Sequence, residues 1–487
     1  MNDFFHGVKS KKESSPIESP ATATSGISFV VGTAPVHTVH TSDGVNNAVN
    51  VPLRARNFAE AGRLLGYSDD WKKYDLCEVM FGLFNVYKTS PVIFVNVLDP
   101  SVHKKTTLPQ DFPVSNGKVF LPFEAIKSTV TADSYVLGKD YELFYSGGQL
   151  VLEILDGGSI SPDTEEIGVG FDEVDPSAVT ASDIIGGMDV VTKKRSGLEL
   201  IGNVFPKYRT LPDICLCPNW SSNPDVAAVM TSKIENYNGI FNGKSLCDVD
   251  TDAVKFYDDV PKWANDNGFN SPNQVLCFPL VANGGRTYHM STHMAGLMAS
   301  VDKDNGFCPC ESPSNKPLSV SGLVLADGSE VYLELEEANF LNENGVTTAL
   351  NFTDGFVLWG NFTTVYPSSK DPNEYFLYAS RMFDWIRNTI ILSHWSKVDG
   401  KITSRFIESI IDSINVWFNT LVTEEKILGG RAEFPSDLNN AEDFRQGKIK
   451  FKLSFAPPGI AQEIEHTVSF DSSYIEELIA GLGGGSA

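Results

Sequence analysis

Residues 286–317 read RTYHMSTHMAGLMASVDKDNGFCPCESPSNKP, and the kind of protein turns on how this stretch is read. Residues 292–302 have the pattern of a helix, entered through His289, Met290 and Ser291 and left through a Gly-containing loop. His289 and His293 stand four residues apart, which places both on one helical face, and Cys308 and Cys310 follow closely. Two histidines and two cysteines are a ligand set for zinc. Against that reading, Cys-x-Cys is not the Cys-x-x-Cys knuckle, and no Glu sits beside His289 as in His-Glu-x-x-His. The stretch reads better as a packed, partly exposed helix start and a loop with reduced thiols. Catalysis is the other chemical reading, with His293 as base and Asp248 or Asp250 as orienting acid. Such a triad needs a nucleophile. The chain has neither a strained Gly-x-Ser-x-Gly elbow nor a Gly-Thr-Ser-Met-Ala element. Asn283-Gly284-Gly285 is the glycine-rich turn of this region, without the Lys-Ser/Thr of a phosphate-cradling loop.

On either side of this stretch the pattern alternates between strand and helix. Residues 27–32 are a buried-strand run. Residues 57–65 read as a helix, and residues 76–87 more strongly so, with Leu76, Val79, Met80, Leu83, Phe84 and Tyr87 on one face. Residues 91–98 are a second central strand. Later, 214–218 reads as a strand, 225–237 as an amphipathic helix opened by Pro224 and Asp225, 245–250 as a strand, 251–265 as a helix, and 274–280 and 356–359 as strands. Cys215 and Cys217 alternate onto one sheet face and behave as small core hydrophobes. This is a mixed or parallel sheet flanked by helices.

Between residues 101 and 190 the character changes to short alternating segments at 118–122, 135–137, 141–145, 150–155 and 167–171. The turn at Ser146-Gly147-Gly148-Gln149 is a hairpin signal. The segment reads as an all-β insert, with acidic runs at 163–166 and 172–175. In the last third, residues 374–398 and 403–422 read as long helices. Residues 448–455 alternate strictly, as a half-exposed strand does, which puts Lys448, Lys450 and Lys452 on one face. Residues 463–470 read as an answering strand. The lysines are either edge protection against aggregation or a docking stripe for an acidic partner.

The two ends carry apolar residues outside any core pattern. Phe4, Phe5 and Val8 precede a Lys/Ser/Pro-rich stretch that cannot fold alone. Val468, Phe470, Tyr474, Ile475 and Leu478 lie beyond the last core strands.

Composition narrows the classes. The 487 residues carry a formal net charge of -24, with 42% hydrophobic and 11% aromatic residues. That supports packed interiors and about two to four domains. The charge disfavours sequence-independent nucleic-acid binding and a basic membrane-surface role, and it favours solubility. No apolar run reaches about 18 residues, so no membrane insertion is expected. The N-terminus has no apolar h-region, so no signal peptide is expected. Seven cysteines fit a reducing cytoplasm better than a disulfide framework.

Three blocks share the order of a known family. Ser291, Ala295, Gly296, Ala299, Asp302, Gly306, Pro313, Ser314 and Asn315 form the first. Residues 341–346 followed by Asp354-Gly355 and Trp359-Gly360-Asn361 form the second. Phe5-His6-Gly7-Val8, leading to 27–35 with its Gly32-Thr33-Ala34-Pro35 ending, forms the third. Together they resemble the contractile tail sheath proteins of phages and R-type bacteriocins, although Tyr288-His289-Met290-Ser291 and Asn361-Phe362 depart from the family pattern. His-Met-Ser-Thr-His-Met-Ala-Gly also looks like the histidine motif of subtilisin-type proteases, without the serine motif.

The resemblance implies an α/β core, a mixed sheet flanked by helices with a protease-like topology but no triad. An all-β sandwich insert and an α+β C-terminal domain complete the fold. It divides the chain into a linking arm at 1–26, core at 27–100, insert at 101–190, core at 191–366, C-terminal domain at 367–470 and a linking arm at 471–487. It implies a non-enzymatic, cofactor-free subunit that polymerises with itself as stacked hexameric rings in a helical tube. Its partners would be an inner tail tube, the baseplate and tail terminator proteins. Its place would be a virion tail or bacteriocin particle assembled in the bacterial host cytoplasm. Phe4, Phe5, Val8, Val468, Phe470, Tyr474, Ile475 and Leu478 would serve as inter-subunit arms, and Lys448, Lys450 and Lys452 as acceptor strand or tube contact. The alternative is a serine-hydrolase-like α/β virion protein.

Overall fold

The computed structural model describes residues 22–39 and 48–483, in two compact units divided after Pro457. The first unit is organised by an eight-stranded sheet whose strands, in chain order, are β1 (Ser28–Gly32), β2 (Leu53–Ala55), β3 (Val92–Asn96), β4 (Ile214–Leu216), β5 (Lys244–Asp248), β6 (Gln274–Cys277), β7 (Val346–Asn351) and β8 (Phe356–Trp359). Their spatial order is β2-β3-β1-β4-β5-β6-β7-β8. The six inner strands run parallel, and β2 and β8 close the edges antiparallel. β1, β3 and β5 are buried at every residue. That is why β1 and β3 read as apolar runs, since helices cover both faces of a parallel sheet. Each fully buried Val, Ile or Phe here contributes about 1.5–3 kcal/mol relative to exposure.

The helix Met290–Asp304 lies in this core, almost wholly buried. Gly296 is its point of closest approach. A Cβ there would fall 2.3 Å from the Tyr87 ring, so the ring lies on bare backbone.

The insert contains two three-stranded antiparallel sheets with their own core around Val119, Leu121, Leu150, Leu152, Val169 and Phe171. It docks through Phe123, whose carbonyl meets His37 Nε2 at 2.9 Å, and through an ion pair from Glu124 to Lys73. Beyond the sheet, the helices Leu377–His394 and Ser404–Thr423 lead into a two-stranded antiparallel sheet of Gly429–Glu433 and Lys452–Ala456.

The α/β core agrees with the sequence reading, and several elements correct it. Lys104–Pro113 is a strand despite Pro109, because a register shift between Thr107 and Gln110 accommodates the proline. Residues 135–137 are not a strand; Asp140 draws the Val136 N–H into a turn, and Thr131–Ala132 pairs instead. The helix expected from residue 251 starts only at Val260. The Asp250 carboxylate accepts the N–H groups of Asp252 and Ala253 and makes a turn there. The helix Leu335–Glu343 and strand β7 have no counterpart in the sequence reading.

The C-terminal hairpin expected from 448–455 and 463–470 is also corrected. The strand begins at Lys452, and its partner is Gly429–Glu433. Residues 463–470 form no strand, since alternation alone supplies no partner for the backbone. Residues 474–478 lie in the helix Ser473–Gly483.

Candidate functional site

The carboxyl ends of β4 and β5 open on a cleft of about 600 Å³, lined among others by Trp71, Glu78, Ser221, Asp248, Tyr288 and His289. This is where an α/β enzyme holds its chemistry. Two carboxylates occupy it, and both serve the start of the helix Met290–Asp304. Asp248 accepts the Ser291 N–H at 3.0 Å, the Ser291 hydroxyl, and the Ser221 hydroxyl at 3.2 Å. Glu78 accepts the His289 N–H and Nδ1 at 2.8 Å each and the Thr292 hydroxyl at 2.7 Å. Negative charge at a helix N-terminus offsets the unpaired N–H groups there.

Burial pushes the Asp248 carboxyl upward and raises Asp75, nearby, to about 7. Burial works against charge on His289 as well, but the facing Glu78 carboxylate, helped by Asp248 and Asp75, outweighs it and lifts the imidazole to about 9.

His293, the base of the hydrolase reading, is 0% exposed. Its Nδ1 meets the Tyr87 hydroxyl at 2.9 Å and its ring packs edge-on against Tyr288. Burial lowers it to about 4. Asp250 is spent on its own turn. Both serine hydroxyls therefore end directly on a carboxylate, with no imidazole between to carry a proton. The zinc reading fares similarly: His289 pairs with Glu78, His293 with Tyr87, and Cys308 lies 3.7 Å from the Met382 sulfur. Among the described residues, no group of three or more His, Cys, Asp or Glu is arranged to hold a metal ion.

A second buried polar cluster fixes the chain just before β1. The Ala23 N–H donates to the Thr389 hydroxyl at 3.0 Å, and the Trp385 indole donates to the Ala23 carbonyl at 2.7 Å. The Ser25 hydroxyl lies 2.8 Å from both Asp213 and Asp302. Asp213 also takes the Ile27 N–H at 2.7 Å. Arg381, 3% exposed, sets its guanidinium between these carboxylates, bonding Asp302 through both nitrogens and Asp213 at 3.2 Å. Residues 23–27 are thus clamped between the sheet and the helix Leu377–His394. Phe4, Phe5 and Val8 lie outside the described residues.

In the two-stranded sheet, one face is covered by Ile410, Ile414, Trp417, Phe418 and Leu421 of the helix Ser404–Thr423. Asn415 of that helix uses its amide as a peptide would, accepting the Ala432 N–H at 2.8 Å and donating to its carbonyl at 3.4 Å. Of the three lysines, only Lys452 lies on the strand. Lys450 is held off it because the Asn439 amide pairs with its N–H at 2.8 Å and its carbonyl at 2.9 Å, while its ammonium meets Asp443 at 2.9 Å. The Lys448 N–H is taken by the Asp443 carbonyl at 2.8 Å. The structure therefore does not bring the three together as one stripe.

The second unit runs without strand pairing to the helix Ser473–Gly483. Tyr474, Ile475, Leu478, Ile479 and Leu482 recur at helical spacing and are all exposed, and Val468 is 92% exposed. Sequence reasoning found Val468, Tyr474, Ile475 and Leu478 by their apolar character. It missed the clamp of Ser25, Asp213 and Arg381, for which no local pattern exists.

No protein-family model matches the chain. Among curated proteins, the tail sheath protein of Burkholderia phage BcepMu is 24% identical over 494 residues, 98% of this chain and 99% of that protein. The tail sheath protein of Escherichia phage P2 is 25% identical over 335 residues, covering 65% of this chain and 78% of its own length. Among solved structures, a chain of the anti-feeding prophage baseplate superposes with a TM-score of 0.56 at 13% identity, over 96% of this chain and 98% of that one. A chain of an extracellular contractile injection system's sheath complex, in the contracted state, also gives 0.56, at 10% identity, over 97% and 100%. Along nearly its whole length the chain is similar to phage tail sheath proteins, and it shares its fold with chains of contractile sheath assemblies.

Proposed function

We propose that the subunit polymerises as stacked six-fold rings around an inner tail tube, and that a switch to a wider, shorter lattice drives the tube through a target envelope. The observation that carries this reading is a mismatch of completeness. The terminal sheet has only two strands among the described residues, while apolar segments at the end of the chain are uncovered within their own unit. Donated strands or helices from neighbours complete such surfaces by main-chain pairing and apolar burial. That pairing survives subunit rotation when the linker is long enough, which suits a bistable lattice.

In this reading the clamp at Ser25 is the fixed root of an N-terminal arm that carries Phe4, Phe5 and Val8. Val468, Phe470, Tyr474, Ile475 and Leu478 belong to a C-terminal arm, 471–487, with its approach. The two-stranded sheet receives both, and Lys452, with Lys448 and Lys450 on the adjoining loop, faces a neighbour or the tube. The core has a protease-like topology without a working triad, the β insert of 101–190 lies on the outside of the tube, and the particle is a virion tail or bacteriocin assembled in the host cytoplasm with baseplate and terminator proteins. No chemical step is needed, because the work comes from interface repacking. Electron microscopy of purified full-length protein tests the reading: long striated tubes are expected, and particles that stay monodisperse under assembly conditions count against it. Deleting 101–190 with a short linker should leave tube formation intact.

A further inference from the structure

A subunit with a formal net charge of -24 repels its own copies at long range, yet the surface beside one edge of the central sheet is basic. A hairpin of Gly187–Met188 and Arg195–Ser196 stands there. Its root is tied to the chain just ahead of β2: the Gly197 N–H donates to the Asn50 amide oxygen at 3.0 Å, and Lys207 Nζ donates to the Pro52 carbonyl at 3.0 Å. Its tip is shaped by Asp189, whose carboxylate accepts the N–H groups of Val191 and Thr192. Val190 and Val191 at that tip are exposed, Val191 by 88%, and so are Lys193 and Lys194 beside them. Asp189 lines a cleft of about 1080 Å³ with four cations, Lys193, Lys194, Arg195 and Lys207. Arg195 bonds the Asn203 amide oxygen at 3.3 Å and Lys207 a carbonyl, neutral acceptors that leave the positive charge uncancelled.

The other edge has the opposite character. The helix Leu335–Glu343 leads into β7, and its Asn339 accepts the indole N–H of Trp359, on β8, at 3.0 Å. Residues 330–343 hold five glutamates and no Lys or Arg. Glu334 and Glu337 cap the helix. Glu336, Phe340 and Glu343 are exposed and, at i, i+4 and i+7, share one helical face. The Phe340 ring packs against Tyr257 at 5.8 Å between centroids, next to the exposed Phe256, Asp258 and Asp259. Each edge thus presents exposed apolar side chains among charges, and the charges are of opposite sign.

We propose that these two surfaces form a head-to-tail contact between copies of this chain, the hairpin tip at 190–194 of one subunit seating on the helix Leu335–Glu343 of the next. The inference rests on the reading that the subunit polymerises, and it names a contact separate from the terminal arms. The width of eight strands, at about 4.8 Å each, keeps the two surfaces from meeting within one chain. A contact between two different patches of identical subunits repeats into a ring or a helical filament. In it the two valines cover the Phe340 ring, and Lys193 and Lys194 face Glu336 and Glu343. Exposed charges of this kind govern the rate of encounter more than the strength of the complex. The contact therefore sets how fast subunits add, while the arms hold them, and tubes still form without it, but slowly.

The test follows assembly of the full chain by light scattering at low salt, beside two charge-reversed variants. One carries Lys193→Glu with Lys194→Glu, the other Glu336→Lys with Glu343→Lys. All four side chains are exposed, so both variants should still melt cooperatively. Each should slow elongation by at least about tenfold. The chain carrying all four substitutions, and an equimolar mixture of the two variants, should recover the natural rate to within about threefold, because opposite charges then face each other again. The proposal is overturned if both variants assemble at the natural rate, or if neither recombination restores it; the second outcome assigns the two surfaces to a different partner. In both cases, tubes formed by the natural chain leave the polymerisation reading standing. A natural chain that forms no tubes overturns that reading and this contact together.

Discussion

The molecule contains two sheets that solve opposite problems. The central sheet closes both edges with antiparallel strands and buries β1, β3 and β5 at every residue. Its polar groups are spent internally: Asp248 and Glu78 on a helix start, Arg381 on two carboxylates. Among the described residues the terminal sheet has two strands; it is largely half-exposed and takes peptide-like pairing from the Asn415 amide on Ala432. A closed sheet gives a subunit its fold. A two-stranded one is marginal alone and becomes stable by accepting more. On the proposed function, the first sheet is scaffold and the second is where the lattice forms.

Substitutions break the comparison if they act on the wrong property. The largest effect expected is at the clamp. Arg381→Met leaves the buried Asp302 and the half-buried Asp213 without their cation and should cost about 3–5 kcal/mol of stability, read by denaturant unfolding of the unassembled subunit. Packing comes next: Gly296→Ala drives a methyl group into the Tyr87 ring and should cost about 1–3 kcal/mol.

The buried His289–Glu78 pair sharpens the comparison through pH. The folded imidazole titrates at about 9, above its unfolded value of about 6.5. Its stabilisation is therefore fully present below about pH 6.5 and is lost as pH rises through about 9. Asp75, raised to about 7 in the folded state, adds a loss in the same direction at lower pH, because its protonated form is the favoured one. Stability measured across pH 6.5–9 should fall for the natural chain and fall less for His289→Gln. The smallest effect belongs to the terminal sheet's surroundings. Lys450→Ala removes a solvent-exposed pair with Asp443 and should change subunit stability by less than about 1 kcal/mol, while slowing assembly if the lysine faces a neighbour.

What the sequence made legible follows the same division. Strands β1, β3 and β4 declare themselves as apolar runs because a parallel sheet buried on both faces demands them. Lys104–Pro113 did not, because a proline argues against a strand unless a bulge accommodates it. The alternation of 448–455 was half misleading: Asn439 captures the backbone of Lys450 from eleven residues upstream, a contact no period reveals. Residues 463–470 alternate with no partner to pair. At the site level, whole-chain resemblance pointed to a sheath, and apolar character marked the C-terminal segment. The clamp of Ser25, Asp213, Asp302 and Arg381 gathers residues spread over more than half the chain, and only Asp302 lay in a recognisable motif. Carboxylates and a histidine near a cleft invited a catalytic reading; their bonds, to helix N–H groups and to one another, are those of a scaffold.

The central claim is that terminal segments complete the two-stranded sheet of a neighbour. The most direct measurement compares tube formation by the full chain with that of two truncated chains, lacking residues 1–20 or 471–487, by sedimentation and negative-stain microscopy. Both truncations leave the clamp and the central sheet intact, so both should melt cooperatively as the full subunit does. The account predicts that the full chain assembles into striated tubes while each truncated chain stays monomeric. Normal contractile tubes from either truncated chain would contradict it.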